Sequence, residues 1–225
     1  MIKLCVFDMD GLLLDSERLM YLKAGIDTSN ALNRPIPAEF FTSLMGGSWE
    51  AYEQAILDNF GADYPMDEYW KMYDKIIDDT IESGKMPTRP GVMDLLNYCK
   101  DKGIKMAIAT STNHHDAVKM LTNTNLIDYF EFIMTGDRVK ETKPNPEIFL
   151  KAIEHFEGID KSEAMVFEDG HNGALAAKNG GCRLTLVEDL AMLTKEDKEY
   201  ADHVTDNIST FIDYIEKENE RTTGV

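Results

Sequence analysis

Two aspartates one residue apart, Asp8 and Asp10, end a short apolar run near the start of the chain, and Gly11 follows them. Carboxylates in such a turn can act as a nucleophile, as a general acid or base, or as metal ligands. Gly11 lets the backbone curl, so that nearby N–H groups can face phosphate oxygens. A lone Asp-x-Asp-Gly segment is also a common turn, so its interpretation depends on what else lies nearby.

Further polar residues lie beside other apolar runs. Thr110 and Ser111 follow one run, Glu168 and Asp169 follow another, and Lys143 precedes the helix before the latter. Crowded carboxylates repel one another and stay ionised when a divalent cation lies among them. Oxygen ligands without nearby His or Cys favour Mg²⁺. Lys143 would add positive charge for phosphoryl oxygens and for a nucleophile.

The predicted elements bring these residues to one edge of a sheet. Strand–helix alternation from residue 88 onward predicts parallel strands joined by right-handed crossovers. Ligands of such sheets bind beyond the carboxyl ends of the strands. We therefore expect an α/β fold, with a Rossmann-like parallel sheet core formed by residues 1–15 and 88–225 and an inserted α-helical cap formed by residues 16–87.

Composition excludes several classes of partner. The 225 residues carry 23 basic and 41 acidic side chains, a net charge of −18, which disfavours nucleic acid and anionic membranes. Three widely spaced cysteines argue against a disulfide framework, and no signal peptide or membrane span is recognisable. We expect a cytoplasmic monomer that acts on a small phosphorylated metabolite. The acidic stretch 188–206 is expected to be a solvated surface.

Four segments together resemble a known family. Residues 6–17, Val-Phe-Asp-Met-Asp-Gly-Leu-Leu-Leu-Asp-Ser-Glu, resemble the first motif of the haloacid dehalogenase superfamily of phosphohydrolases. Residues 109–111, 143–144 and 168–169 resemble its second, third and fourth motifs. The insertion after the first motif resembles the subfamily with an α-helical cap, which includes β-phosphoglucomutase-like proteins and many small phosphatases.

The resemblance implies roles for the reacting groups. Asp8 would attack the phosphoryl group and form an aspartyl-phosphate. Asp10 would protonate the leaving alcohol and then activate water. Thr110 and the Ser111 N–H would bind phosphate oxygens, and Lys143 would hold the phosphate and Asp8. An acid at position 10 also disfavours the dehalogenase and phosphonatase branches of the superfamily.

The resemblance implies a Mg²⁺ site as well. Asp8, the carbonyl of Asp10 and Asp169 would bind the cation, with Glu168 in or near its ligand shell. The crowding of these carboxylates independently favours a divalent cation among them.

One loop of the insertion resembles the specificity loop of related caps. It contains Gly46, Gly47 and Trp49, which we predict to contact substrate. β-Phosphoglucomutase has a basic residue there that grips a distal phosphate, whereas this chain has Trp49. Residues 16–87 contain six basic and thirteen acidic side chains, which is unsuited to a second phosphate. Trp49 could stack on a sugar or base, or pack between cap and core.

The sequence therefore predicts a Mg²⁺-dependent phosphatase of a small phosphomonoester, of the sugar or nucleoside monophosphate class, that works through an aspartyl-phosphate. A sugar phosphate mutase of the β-phosphoglucomutase type is the first alternative. A non-catalytic phospho-aspartate signalling module is the second, because receiver domains also combine acids, Thr or Ser and Lys on a parallel sheet.

Overall fold

The computed structural model describes residues 1–45, 49–189 and 193–223. Its centre is a six-stranded parallel sheet with the strand order β3-β2-β1-β4-β5-β6. The first strand is therefore central, with neighbours on both sides. The strands are β1 (Leu4–Phe7), β2 (Lys105–Thr110), β3 (Phe132–Thr135), β4 (Ala164–Glu168), β5 (Arg183–Val187) and β6 (His203–Thr205).

Helices cover both faces of the sheet, which explains why the inner strands are continuous apolar runs rather than alternating ones. Within β1, Cys5 and Phe7 pack into the core on one face, while Leu4 and Val6 pack into the core on the other. The helices that follow the insertion are α5 (Val92–Lys102), α6 (His114–Asn123), α7 (Glu147–Glu154), α8 (His171–Gly180), α9 (Lys195–Tyr200) and α10 (Phe211–Thr223). The expected α/β fold class is confirmed.

Between β1 and α5 the described chain is helical, and we call residues 18–82 the helical block. It has its own apolar core, rich in aromatic rings such as Phe41, Tyr52 and Tyr69, which are buried. The helices of the block are α1 (Gly25–Ala31), α2 (Ala38–Thr42), α3 (Trp49–Phe60) and α4 (Met66–Glu82), preceded by a π-helical segment (Arg18–Ala24).

The two connections between block and sheet run side by side. The Asp15 N–H donates to the Pro87 carbonyl at 2.8 Å, and the Arg89 N–H donates to the Leu13 carbonyl at 2.9 Å. The Arg89 guanidinium, 9% exposed, lies 2.5 Å from the carboxylate of Asp189. Arg18 donates two hydrogen bonds to that same carboxylate, both at 2.8 Å. The carboxylate of Asp189, after β5, thus binds both the start of the helical block and the second connection.

The acidic stretch 188–206 was expected to be a solvated surface, and in its described part every residue except Asp197 is exposed or half-buried. It contains α9 and the edge strand β6. Asp197 is buried because it caps α9 through Thr194 and accepts a hydrogen bond from the ring of His171 at 2.9 Å. A buried acid with several donors is structural rather than solvated.

None of the helices in the described ranges combines the length and apolar character that a bilayer crossing needs.

Candidate active site

The site begins with Asp8, the first residue beyond β1. Its backbone N–H donates to the Phe167 carbonyl at 3.0 Å, so the chain leaves the sheet in a fixed direction. The Asp8 side chain is buried, and its Oδ1 lies 2.5 Å from the Nζ of Lys143. The central position of β1 places this carboxylate at the middle of the carboxyl edge of the sheet.

Lys143 joins two carboxylates from neighbouring strands. Its Nζ donates to Asp8 and, at 2.6 Å, to Oε1 of Glu168 at the end of β4. The ammonium also lies 4.9 Å from the ring centroid of Phe149. Burial lowers the pKa of Lys143, but the charges of Asp8 and Glu168 outweigh it and raise that pKa above its usual value. Lys143 is therefore a fixed cation.

Glu168 also orders the loop that follows it. Its Oε2 accepts the N–H groups of Asp169 at 3.0 Å and Gly170 at 3.1 Å. A side chain at Gly173 would collide with the Glu168 carboxylate, so glycine is required at that position of α8. Both oxygens of Glu168 thus have partners within the protein.

Asp169 completes a cluster of three buried carboxylates. Oxygens of Asp8, Glu168 and Asp169 lie within 4.8 Å of one another. Gly11, whose φ is +81°, leaves room for the Asp169 carboxylate, which a Cβ at that position would hit. The loop therefore depends on glycine both for backbone conformation and for space.

The charges of this cluster show whether it suits a bound cation. Burial and the neighbouring carboxylates raise the pKa of Asp169 well above its usual value. Burial raises the pKa of Asp8 from 3.8 to about 8, although Lys143 opposes the change. One lysine is thus insufficient for three carboxylates, and the oxygen-only donor set suits a hard divalent cation.

Asp10 faces different partners from Asp8. Its Oδ2 accepts hydrogen bonds from the Oγ1 of Thr112 at 2.7 Å and the Oγ1 of Thr110 at 3.3 Å. Its Oδ1 is buried and has no hydrogen-bond partner among the described atoms. The turn after β1 therefore separates the two aspartates, so that one is beside a lysine and the other beside hydroxyl groups.

Ser111 and Trp49 line one cavity of about 580 Å³ between the helical block and α6. Ser111 is exposed, and Trp49 is 44% exposed while its ring stacks on Tyr21 with 5.6 Å between centroids. Trp49 thus packs within the block and still presents surface to the cavity. Gly46 and Gly47, predicted to contact substrate, lie outside the described residues.

Sequence reasoning missed two polar residues near the site. Thr112 donates the shorter hydrogen bond to Asp10, and its N–H donates to the Oγ1 of Thr110 at 3.1 Å. Glu17 approaches Gly11, and its Oε2 is buried without a hydrogen-bond partner in the described structure. Burial, followed by the charges of Asp189 and Asp10, raises the pKa of Glu17. A hydroxyl residue two positions after Thr110 was the available signal for Thr112.

Comparison with known proteins agrees with this geometry. The family model described as "Haloacid dehalogenase-like hydrolase" matches residues 5–187. "Putative phosphatase YhcW" of Bacillus subtilis is 30% identical, covering 97% of this chain and all of that protein. "Phosphorylated carbohydrates phosphatase" of Thermotoga maritima is 31% identical over 78% of this chain and 80% of that protein.

Among solved structures, one named "putative beta-phosphoglucomutase" from Thermotoga maritima has a TM-score of 0.81 and 26% identity. The match covers 96% of this chain and 99% of that one.

Fold and matches together define a hydrolase with a Rossmann-like α/β fold. The chain belongs to the haloacid dehalogenase-like hydrolase family, in its β-phosphoglucomutase-like group of phosphatases. The prediction made from the four motifs is confirmed at this level.

Proposed function

We propose that this chain is a Mg²⁺-dependent phosphatase that hydrolyses a small phosphomonoester, of the sugar phosphate or nucleoside monophosphate class, through an aspartyl-phosphate on Asp8. The observation that carries the proposal is the separation of the two aspartates. Asp8 is buried beside Lys143, whereas Asp10 accepts hydrogen bonds from Thr110 and Thr112. One carboxylate can attack while the other handles protons.

In the first step an oxygen of Asp8 attacks phosphorus, and the bond from phosphorus to the leaving oxygen breaks. Asp10 gives its proton to that oxygen, which leaves as an alcohol. In the second step Asp10, now a carboxylate, takes a proton from water as the water attacks phosphorus. The bond to Asp8 breaks and inorganic phosphate is released. Dividing one displacement into two is the logic of covalent catalysis.

The other residues hold the phosphoryl group. Lys143 supplies a fixed positive charge, and Thr110 with the Ser111 N–H can donate to phosphoryl oxygens. Asp8, Asp169 and the carbonyl of Asp10 would hold Mg²⁺, with Glu168 beside it. When bound, Mg²⁺ would neutralise the excess of carboxylates and add positive charge near the phosphoryl oxygens.

Substrate class is supported by the relatives. The Thermotoga maritima relative is named a phosphatase of phosphorylated carbohydrates, and an Arabidopsis thaliana relative, 28% identical, is named a glycerol-3-phosphatase. We propose that residues 16–87 act as a cap over a core of residues 1–15 and 88–225. We also propose a cytoplasmic monomer with no nucleic-acid or membrane partner, which agrees with the net charge of −18.

A phosphate-release assay tests the proposal. The purified chain is incubated with p-nitrophenyl phosphate and a panel of sugar phosphates and nucleoside monophosphates, with Mg²⁺ or with EDTA. We expect sustained release with Mg²⁺ and almost none with EDTA. Full activity in EDTA would show that the reaction needs no metal ion. If no substrate released phosphate, the phosphatase proposal would be contradicted.

Mutase activity is a second candidate because the Thermotoga maritima structure at a TM-score of 0.81 bears a mutase name. Isomerisation of a hexose phosphate in the presence of its bisphosphate, with little phosphate release, would favour it. The signalling alternative predicts a long-lived phospho-protein without turnover. Sustained hydrolysis of p-nitrophenyl phosphate would exclude it.

A further inference from the structure

A cavity of about 580 Å³ lies where the helical block meets the start of α6. Trp49, Trp70 and Tyr73 supply its aromatic surface, while Glu53 and Asp74 are among its acidic lining residues. Asp116 of α6 also lines it. We call it the aromatic–acidic cavity.

Three rings of the aromatic–acidic cavity are mutually near-perpendicular. Trp49 and Trp70 meet at 90° with centroids 6.0 Å apart, and Trp70 and Tyr73 meet at 80° with centroids 5.3 Å apart. Trp49 and Tyr73 meet at 69° with centroids 6.0 Å apart. Edge-to-face packing fixes the rings in place, and all three residues line the cavity. The faces of such rings carry negative partial charge and attract cations.

Two carboxylates of this cavity have neutral hydrogen-bond partners. Glu53 accepts the indole N–H of Trp70 at 2.6 Å, and Asp116 accepts the amide of Asn113 at 2.6 Å. Burial and the nearby Asp78 carboxylate raise the pKa of Asp74. Among the described residues that line the cavity there is no lysine, arginine or histidine. Its lining is therefore acidic as well as aromatic.

The aromatic–acidic cavity continues toward the reacting groups. The second cavity, described above with Ser111, shares Trp49 and Asp116 with it and also reaches Thr112. Thr112 is hydrogen-bonded to Asp10. The two cavities therefore lie on the side of the active site where Thr112 contacts Asp10. The lysine that lines the second cavity, Lys119, lies 3.2 Å from Glu82 as an ion pair.

We propose that the aromatic–acidic cavity binds a positively charged ammonium or quaternary ammonium group carried by the alcohol part of the substrate. The inference rests on the proposed phosphatase function and narrows its substrate to a phosphomonoester with a cationic alcohol. An ammonium group gains from ring faces and carboxylates together, whereas a second phosphate would meet only negative groups there.

A bare metal ion fits this cavity less well. The carboxylate group that could hold a metal within the described residues is that of Asp8, Glu168 and Asp169, and no acid of the aromatic–acidic cavity belongs to it. Dispersed carboxylates beside ring faces suit a large, diffuse cation rather than a small, hard one.

Intrinsic fluorescence tests binding without any catalysis. The chain contains two tryptophans, Trp49 and Trp70, and both line the cavity. The metal-free protein is titrated with choline and, separately, with the neutral isostere 3,3-dimethyl-1-butanol at constant ionic strength. We expect choline to change the emission with at least a tenfold lower Kd, from a cation–π advantage of about 1.4 kcal/mol. Equal Kd values would overturn the proposal.

Hydrolysis of a matched substrate pair gives the second test. Phosphocholine and 3,3-dimethylbutyl phosphate differ in one atom, nitrogen against carbon, and therefore in charge. We expect kcat/KM to favour phosphocholine about tenfold or more. A ratio of one or below, with p-nitrophenyl phosphate still hydrolysed, would overturn the inference. No hydrolysis of p-nitrophenyl phosphate would instead contradict the phosphatase function, while the fluorescence result would still stand.

Variants test whether the preference for phosphocholine depends on the aromatic–acidic cavity. Asp74→Asn and Glu53→Gln remove a carboxylate charge each with little change of shape, and we expect each to lower the ratio of the two kcat/KM values by about threefold or more. Glu68→Gln makes the same charge change on α4 at a residue that does not line the cavity, so the ratio should stay constant. An unchanged ratio in both cavity variants would overturn the assignment.

Discussion

The carboxyl edge of the sheet and the aromatic–acidic cavity are built in opposite ways. At the edge, carboxylates such as Asp8 and Glu168 are buried, lie beside a lysine and are anchored by backbone N–H groups. In the cavity, carboxylates such as Asp74 lie on helices beside aromatic rings. The described residues that line the cavity include no lysine, arginine or histidine, whereas the carboxylates at the sheet lie beside Lys143.

This difference separates the residues that carry out the reaction from the residues that select the substrate. The edge is held by strand ends and by glycines that admit no side chain, such as Gly11 and Gly173. Changes there alter every reaction of the site. The aromatic–acidic cavity uses side chains of α3, α4 and α6, which can be exchanged without changing the sheet. We therefore expect variants of the edge to affect all substrates equally and variants of the cavity to affect the choice among them.

The largest effect is expected for Asp8→Asn. Loss of the nucleophile should reduce kcat on the order of 10⁴-fold or more for every phosphomonoester, cationic or neutral. Choline should still change tryptophan emission with an unaltered Kd, because the cavity is separate from the edge. Steady-state phosphate release and fluorescence titration measure the two effects.

Asp101→Asn, an exposed change on α5, is the control for Asp8→Asn. It should retain normal turnover and thermal stability. Near-full activity of Asp8→Asn with Mg²⁺ present would contradict the proposed nucleophile.

Asp10→Asn should reduce kcat by about 10² to 10⁴-fold, the range for a general acid–base group. Asn can still accept from Thr112 but cannot transfer a proton, so attack by water on the phospho-enzyme should be slowest. Intact-mass spectrometry after brief mixing with substrate should detect a phosphorylated chain. Wild-type rates with no trapped intermediate would refute the acid–base role.

The stability of the metal-free protein should depend on pH because the carboxyl edge of the sheet has more buried carboxylates than cations. The pKa of Asp8 is raised from 3.8 to about 8 by burial. Between these values the folded chain keeps a proton that the unfolded chain has lost, so this group makes the metal-free protein less stable as pH rises. Asp8→Asn removes that effect. Its Tm in EDTA, relative to wild type, should therefore increase from about pH 4 to pH 8.

Differential scanning calorimetry of both proteins across this pH range measures the difference. Adding Mg²⁺ to wild type should give a gain in Tm that grows with pH, because the cation stabilises the ionised carboxylate. A Tm difference that does not change with pH would show that Asp8 is not the destabilising group.

The edge could be predicted from sequence because its signals are local. Asp8, Thr110 and Glu168 each come where an apolar run ends, and parallel strands bring such ends to one side. Apolar residues recur every three or four positions in 51–60 and in 68–81, which predicts two helices, and the structure has them at Trp49–Phe60 and Met66–Glu82. Their apolar spacing of three and four residues gave the positions within two residues.

Other features could not be predicted because they depend on contacts between residues far apart in the sequence. The three-residue strand β6 and the short helix α9 lie in an acidic stretch whose composition favoured a solvated surface. The rings that contact Trp49 from outside α3 belong to the π-helical segment and to α4, and their spacing along the chain gives no indication of contact. Asn145 followed by Pro146 predicts a helix with Asn145 as its N-cap and Pro146 at the first helical position. In the structure Pro146 itself is the cap residue, and Asn145 accepts the Glu147 N–H at 2.9 Å.

Thr112 links the two regions. It donates to Asp10 at 2.7 Å, and it lines the second cavity, which shares Trp49 and Asp116 with the aromatic–acidic cavity. Thr112→Val removes that hydrogen bond and leaves Thr110 as the hydroxyl donor to Asp10 among the described contacts. A hydrogen bond of this kind contributes about 1.5 kcal/mol, so kcat should fall roughly tenfold. Thr112→Ser keeps the hydroxyl and should restore most of the rate. If Thr112 acts through Asp10, the phosphocholine preference stays the same in both variants; a changed preference at constant kcat would instead assign Thr112 to substrate selection.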